Sequence, residues 1–148
     1  MNICASNPCL RQAEKRYTQQ VINKSVEQMN RESTSEFFTE LCGNQLSSVE
    51  FVQDYLQLRF DGPCLNVYTP LTVRSGGKVV TSWGIGFRDL LCEQITKIIT
   101  SVSFEEEKEL NVLFKDGSGI SVSLRPEDYS SPEAVYAHGF QNHQWLTI

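Results

Sequence analysis

The 148-residue sequence predicts an α+β fold, in which an N-terminal helix precedes two helix–strand–strand–strand repeats whose antiparallel strands pack against helices. Three observations lead to this fold class. The first is a glycine-free N-terminal segment with apolar residues at three- and four-residue steps. The second is a series of short segments in which apolar and polar residues alternate. The third is a similarity of pattern between the two halves of the chain.

Residues 8–29 are predicted to form a surface helix. Asn7 is a suitable N-cap, and the proline that follows it suits the first helical position, where its missing N–H is not needed. The polar residues 30–35 are interpreted as a joint, so we expect residues 1–32 to be an appendage to a domain of residues 33–148. The helix is expected to dock by one edge through a narrow apolar stripe of Leu10, Ala13, Tyr17, Val21 and Met29.

A second helix is predicted to begin at Ser33, because Ser33 and Glu36 have the spacing of a capping box, and to end at Gly43. In the segment after it, Gln57 and Arg59 alternate with apolar residues, as is typical of a half-buried strand. The strands expected here cover residues 46–52, 55–61 and 65–69.

The second half of the chain has the same order of elements. A third helix is predicted to carry Phe87 and Ile95, with apolar residues at steps of three and four between them. The acidic residues 105–107 suit an exposed hairpin tip, and Asp116-Gly117 is a strong hairpin signal. The strands expected here cover residues 98–104, 109–115 and 120–124. The other predicted segments are a flexible turn at 74–78, a short helix at 134–137 and a closing strand at 145–148.

The two halves of the chain can be aligned. Phe37 and Cys42 are five residues apart, as are Phe87 and Cys92, and both cysteines are expected to pack against the sheet. The apolar strand positions then correspond in order: Leu46, Val49, Phe51, Leu56, Leu58, Phe60, Leu65 and Val67 with Ile99, Val102, Phe104, Leu110, Val112, Phe114, Ile120 and Val122. We interpret the pattern as an internal duplication, with chance similarity between two hairpins as the alternative. Repeat 1 covers about residues 33–73, repeat 2 about residues 84–126, and a tail covers residues 127–148.

Composition excludes several classes of protein. The chain has 13 Lys and Arg residues against 18 Asp and Glu residues, and its net charge is -5. No basic stripe is present, so binding to nucleic acid is not expected. No apolar run is long enough for a membrane span, and the N-terminus lacks the basic region of a signal peptide. The odd, irregularly spaced set of cysteines favours the reducing cytoplasm; these are Cys4, Cys9, Cys42, Cys64 and Cys92.

No catalytic residue, metal site or cofactor is predicted. His138 and His143 lack the helical spacing of a zinc-binding pair, and residues 84–86 lack the third glycine of a dinucleotide-binding loop. Cys64 with one of these histidines and an acid such as Asp61 could form a thiol triad. However, no basic residue flanks Cys64 to lower its pKa, so a buried structural cysteine is the favoured interpretation.

Acidic residues occur on the edges and tips of the first two strands of each repeat; they are Glu50, Asp54, Asp61, Glu105, Glu106, Glu107 and Glu109. They can form a solvated rim that keeps the protein soluble, or a patch that attracts a basic partner. The residues predicted to bind a partner are Asp54, Tyr55, Glu105, Glu106 and Glu107, with Tyr55 as an aromatic anchor. Further candidate anchors are Tyr68, Trp83, Tyr129, Tyr136 and Trp145.

Two sets of motifs carry a resemblance. The first half reads Leu41-Cys42-Gly43-x-Gln45…Phe51-Val52-x-Asp54-Tyr55-Leu56-Gln57-Leu58-x-Phe60-Asp61-Gly62. The second half reads Phe87-Arg88-Asp89-x-Leu91-Cys92, then Phe114-x-Asp116-Gly117…Ser123-Leu124…Pro132-Glu133-Ala134. The chain resembles, over about residues 37–135, a group of small bacterial proteins of unknown function with a duplicated α+β unit. Because the motifs consist of turns, caps and strands, the resemblance implies a fold and no activity.

The chain is also similar in type to the immunity proteins of contact-dependent growth inhibition and related toxin systems. This resemblance implies a cytoplasmic protein that masks the active site of a basic toxin domain and needs no cofactor. Two alternatives remain open from the residues alone. One is a small cytoplasmic enzyme, either a hydrolase or a thiol-dependent enzyme. The other is a self-assembling module, with a homodimer as its simplest form, because free sheet edges can pair with one another.

Overall fold

The computed structural model describes residues 8–148, including the side chains of residues 12, 15–26, 33–141 and 143–148. The sequence-based predictions outside this set concern the Asn7 cap, the thiols of Cys4 and Cys9, and the side chains of Leu10, Ala13 and Met29. Two compact units divide between Thr34 and Ser35. In the first unit Tyr17 and Val21 are exposed.

The first helix, α1 (Pro8–Thr39), is continuous over 32 residues. The predicted joint at residues 30–35 and the predicted helix start at Ser33 are therefore wrong. The sequence has no glycine or proline between Pro8 and Gly43, and polar residues in a helix cost only about 0.5 kcal/mol each. Consequently the helix continues through Ser33, and the capping-box spacing there does not mark the start of a separate helix. The turn after α1 closes at Gly43, whose φ of 87° is favourable only for glycine.

Ten strands and a second helix, α2 (Phe87–Cys92), follow. The strands are β1 (Leu46–Phe51), β2 (Leu56–Phe60), β3 (Cys64–Val67), β4 (Leu71–Ser75), β5 (Lys78–Thr81), β6 (Ile99–Glu105), β7 (Glu109–Phe114), β8 (Gly119–Ser123), β9 (Val135–His138) and β10 (Leu146–Thr147). They form two antiparallel five-stranded sheets, ordered β1-β2-β3-β9-β10 and β5-β4-β8-β7-β6. The predicted α+β class with antiparallel sheet is thus confirmed.

The turn predicted within residues 74–78 is confirmed at Gly76 and Gly77, in the β4–β5 hairpin, but the two strands of that hairpin were not predicted. Two other predicted local structures are wrong. Residues 134–137 lie at β9 rather than in a helix, because pairing with β3 satisfies their backbone groups. Helix α2 ends at Cys92, so Ile95 lies beyond it. None of the described helices combines the length and the apolar character needed to cross a membrane.

One cluster of buried apolar side chains forms the core of residues 35–148. It includes residues from both sheets, from α2 and from the last turn of α1. Phe38 in that turn is fully buried, and its ring lies near the rings of Phe37, Phe104 and Phe140. Burial of these side chains provides the main driving force for packing the two sheets together.

The two sheets have matching registers. The β1–β2 pairing shifts between Leu46 and Ser48, and the β6–β7 pairing shifts between Ile99 and Ser101. An antiparallel bridge between Gln45 and Ile98 joins the starts of β1 and β6. The chain leaves the first sheet after β3 to form β4 and β5 in the second sheet. After β8 it returns, forming β9 and β10 in the first sheet.

Candidate functional site

A cavity of about 190 Å³ lies where the β1–β2 turn, the β3–β4 connection and the residues after β5 meet. We call it the aromatic cavity, because three of its walls are Tyr55, Tyr68 and Trp83. It is also lined by Asp54 and Asp128, and no lysine, arginine or histidine of the described part of the chain lines it. Two of the residues predicted to bind a partner, Asp54 and Tyr55, thus lie together in a cavity with two of the proposed aromatic anchors.

Local hydrogen bonds fix the walls of the aromatic cavity. The backbone N–H of Val52 donates to the carbonyl of Tyr55 at 3.0 Å and closes the β1–β2 turn. The Tyr55 and Tyr68 rings lie 5.3 Å apart, inclined by 40°. Tyr68 in turn donates its backbone N–H to the carbonyl of Ala134 at 2.9 Å. The two tyrosine walls are therefore attached to both the first and the last third of the domain.

Trp83 belongs to an exposed segment, residues 82–86, which we call the Trp83 loop. Trp83 is 70% exposed and has a φ of 70°, in the left-handed region that costs a non-glycine residue about 1 kcal/mol. Ile85 in the same loop is fully exposed. Trp83 also lines a second cavity of about 340 Å³ together with Arg88 and Asp89. Large apolar side chains held in solvent beside a cavity are typical of interaction surfaces.

Near the loop, the Arg88 guanidinium lies 5.6 Å from the centre of the Phe51 ring. Phe51 is the last residue of β1 and is partly exposed. A cation over an aromatic face is a favourable contact, and arginine and aromatic residues together are enriched in binding hot spots. Trp83 was a candidate anchor from the sequence, whereas Phe51 and Arg88 were not, because their contact depends on how β1 and α2 pack.

The other residues predicted to bind a partner, residues 105–107, lie at the exposed tip between β6 and β7. Glu105 accepts a hydrogen bond from the Lys108 ammonium at 2.6 Å, and this contact raises the pKa of Lys108. Burial, and secondarily the negative charge of Glu107, raises the pKa of Tyr129. The tip is therefore acidic, but a lysine partly neutralises it.

Lys108 and Glu109 continue from this tip into a polar cavity of about 340 Å³, which also contains Arg125. Hydrogen bonds from Asn111 and Ser121 lower the pKa of Glu109. Pro70 and Asp128 line both the polar and the aromatic cavity, so the two cavities are neighbours. The β1–β2 turn borders the aromatic cavity, and the β6–β7 tip leads into the polar cavity. None of Glu105, Glu106 and Glu107 lines the aromatic cavity itself.

The structure brings Cys64 and His138 opposite each other on β3 and β9. The Cys64 thiol is buried, its sulfur lies 3.9 Å from Oδ1 of Asn66, and burial raises its pKa. A raised pKa keeps the thiol protonated, which is the opposite of what a nucleophile requires. His143 and Asp61 are exposed, and within residues 8–148 no hydrogen bond or ion pair joins either of them to Cys64.

The remaining described cysteines, Cys42 and Cys92, are exposed, so the prediction that they pack against the sheet is wrong. Both lie at the solvent side of a helix end. In the described part of the chain, no group of three or more His, Cys, Asp or Glu side chains is arranged to hold a metal ion.

Comparison with known proteins found no family model, no curated protein and no solved structure that matches the chain.

Proposed function

We propose that the protein is a non-catalytic binding protein, specifically an immunity protein that neutralises a cognate bacterial toxin domain by masking its active or substrate-binding surface. The aromatic cavity carries the proposal. It combines Tyr55, Tyr68 and Trp83 with two carboxylates on an exposed part of the domain. Tyrosine and tryptophan provide large contact areas with little loss of side-chain entropy, and carboxylates select a basic partner.

The residues expected to contact the toxin divide into two groups. Asp54 and Tyr55 line the aromatic cavity and are expected to hold the bound partner. Glu105, Glu106 and Glu107 lie on the neighbouring tip, where they are expected to speed the encounter with a basic surface. The partner is a basic toxin domain in the cytoplasm. No cofactor, membrane or nucleic acid has a part in this proposal.

We also infer that the domain is a duplication of one helix and five strands, longer than the sequence pattern alone suggested. The matching register shifts in the two sheets support it. So do equivalent pairings late in each half: Val73 pairs with Val80, and Ala137 pairs with Leu146. In each half the last two strands join the sheet formed by the other half.

The duplication explains why the domain has only one aromatic cavity of this kind among its described residues. In register, the positions of Tyr55 and Tyr68 correspond to Glu109 and Ser123 in the second half. Two aromatic walls are thus replaced by a carboxylate and a hydroxyl, which line the polar cavity. The two halves share a backbone plan but differ in their binding chemistry.

Co-expression with the product of the adjacent gene tests the proposal. We expect a stoichiometric complex that weakens as salt increases, together with loss of the toxic activity of the partner. Asp54→Asn should weaken the complex. Asp61→Asn is the matched control, because Asp61 lies at the other end of β2 and its φ of 24° suits asparagine. A protein recovered alone, as a monomer or a homodimer, would refute the immunity function.

A further inference from the structure

We propose that the aromatic cavity binds a single alkylammonium or guanidinium group, supplied by a lysine or arginine side chain of the protein partner. The inference rests on the proposed function only for the identity of that partner. The cation chemistry itself follows from the residues that line the cavity.

The lining of the aromatic cavity carries negative charge. Asp54 and Asp128 supply two carboxylates, and among the described residues no lysine, arginine or histidine lines the cavity. Ser123 donates a hydrogen bond to Oδ2 of Asp128 at 2.5 Å, which fixes the orientation of that carboxylate. The two carboxylates therefore attract a cationic ligand, whereas an anion would be repelled.

Three hydroxyl groups at the rim of the cavity donate their hydrogens to backbone carbonyls. Thr69 donates its hydroxyl hydrogen to the carbonyl of Ser123 at 2.6 Å, and Ser130 donates to the carbonyl of Tyr68 at 3.4 Å. Ser82 likewise donates to the carbonyl of Leu71 at 3.0 Å. Because these hydrogens are already used by backbone acceptors, the hydroxyl groups can offer only lone pairs to a ligand. These three hydroxyl groups therefore favour a ligand that donates hydrogen bonds.

Three aromatic side chains line the cavity. The rings of Tyr55 and Tyr68 are 5.3 Å apart and inclined, so they form two walls that meet at an angle. Trp83 supplies the third wall and is mostly exposed. A cation in front of an aromatic face is attracted by the ring quadrupole, and this attraction grows as water is excluded.

A titration of the isolated protein tests the proposal. The chain has two tryptophans, so the exposed Trp145 is changed to phenylalanine and the fluorescence of Trp83 becomes the signal. The probes are the Nα-acetyl methylamides of arginine and lysine, with the neutral norleucine derivative as the matched control. We expect saturable binding of both cationic probes with Kd values of about 1 mM. The norleucine probe should bind at least about fivefold more weakly.

Variants locate the binding. Asp54→Asn and Asp128→Asn should each weaken the arginine probe about two- to fivefold, and Asp61→Asn should leave it unchanged. Far-ultraviolet circular dichroism checks that each variant remains folded. Equal affinity for the norleucine probe, insensitivity to both aspartate changes, or no saturation by the cationic probes would each overturn the cation site.

The results also separate this inference from the proposed function. If the toxin complex forms but the cationic probes do not bind, the immunity function stands and the cation site fails. If the probes bind but no toxin complex forms, the cation site stands and the immunity function fails.

Discussion

The ammonium of Lys97 lies 2.8 Å from Oδ2 of Asp116 and joins the start of β6 to the β7–β8 turn. The same ammonium donates to the side chains of Gln94 at 2.9 Å and Ser118 at 3.0 Å. Asp116 also accepts hydrogen bonds from the backbone and the hydroxyl of Ser118. The hairpin signal in Asp116-Gly117 therefore marks a turn that is fixed by side chains as well as by its backbone.

Asp116→Asn is predicted to lower the free energy of unfolding at pH 7 by up to about 1 kcal/mol, because Asp116 is half exposed and water screens the pair. The lysine and Ser118 hold the pKa of Asp116 well below its ordinary value of 3.8. A lowered folded-state pKa stabilises the protein above pH 3.8, and the contribution decreases as the pH falls below that value. Urea unfolding should therefore show a smaller difference in the free energy of unfolding between the wild-type protein and Asp116→Asn at pH 3 than at pH 7. A difference independent of pH would contradict the assignment.

A second prediction concerns the close approach of two glycines, Gly62 in the β2–β3 turn and Gly139 directly after β9. A Cβ atom added to Gly139 would lie 2.6 Å from the carbonyl oxygen of Gly62, and Gly139 has a φ of 76°. We expect Gly139→Ala to cost about 3 kcal/mol, from a left-handed backbone plus a backbone clash. Gly76→Ala is the matched control, because Gly76 has a φ of 57° but open space around it, and should cost about 1 kcal/mol. Equal losses of unfolding free energy for Gly139→Ala and Gly76→Ala, measured by thermal or urea unfolding, would contradict the backbone clash at Gly139.

Local patterns predicted much of the fold, since apolar alternation and turn dipeptides act over a few residues. Seven of the ten strands overlap the predicted segments. The β4–β5 hairpin was missed because its Gly-Gly turn was interpreted as a flexible segment. Strand β9 was missed because its backbone is satisfied by β3, about 70 residues earlier in the chain. Pairing at that separation leaves no trace in a local pattern.

The candidate site shows the same division between local and distant signals. Asp54 and Tyr55 were predicted because acidic and aromatic residues concentrate at a strand tip. Asp128 was missed, since it reaches the aromatic cavity only through the β8–β9 connection. The pairing of Lys108 with Glu105, which reduces the acidity of the second tip, was also missed. The sequence indicated a purely acidic turn, whereas the hairpin places the ammonium of Lys108 beside the carboxylate of Glu105.

A third prediction separates the binding protein from the thiol enzyme. Variants that keep only Cys42, Cys64 or Cys92 are treated with a thiol reagent at pH 7.5. Cys64 should react at least about tenfold more slowly than the two exposed thiols, because it is buried and its pKa is raised. In denaturant the three rates should become similar, which is the internal control. Fast labelling of Cys64 in the native protein would restore the thiol-dependent alternative.

The last prediction concerns the acidic tip between β6 and β7. Changing Glu105, Glu106 and Glu107 together to lysine should slow association with a basic toxin domain by about tenfold or more at low salt, and should flatten its dependence on ionic strength. Dissociation should change much less, because these side chains lie outside the aromatic cavity. Stopped-flow or surface-based kinetics at several salt concentrations measures both rates.

The control for this change is Asp61→Asn, at a turn that belongs to the opposite end of β2 from Asp54. It removes one negative charge away from the predicted contact, so it should alter association by less than about twofold. The charge reversal is also expected to break the ion pair between Glu105 and Lys108, which is exposed and contributes little to stability. Folding therefore remains intact, and an unchanged association rate would mean that the tip is only a solvated rim and that the aromatic cavity alone selects the partner.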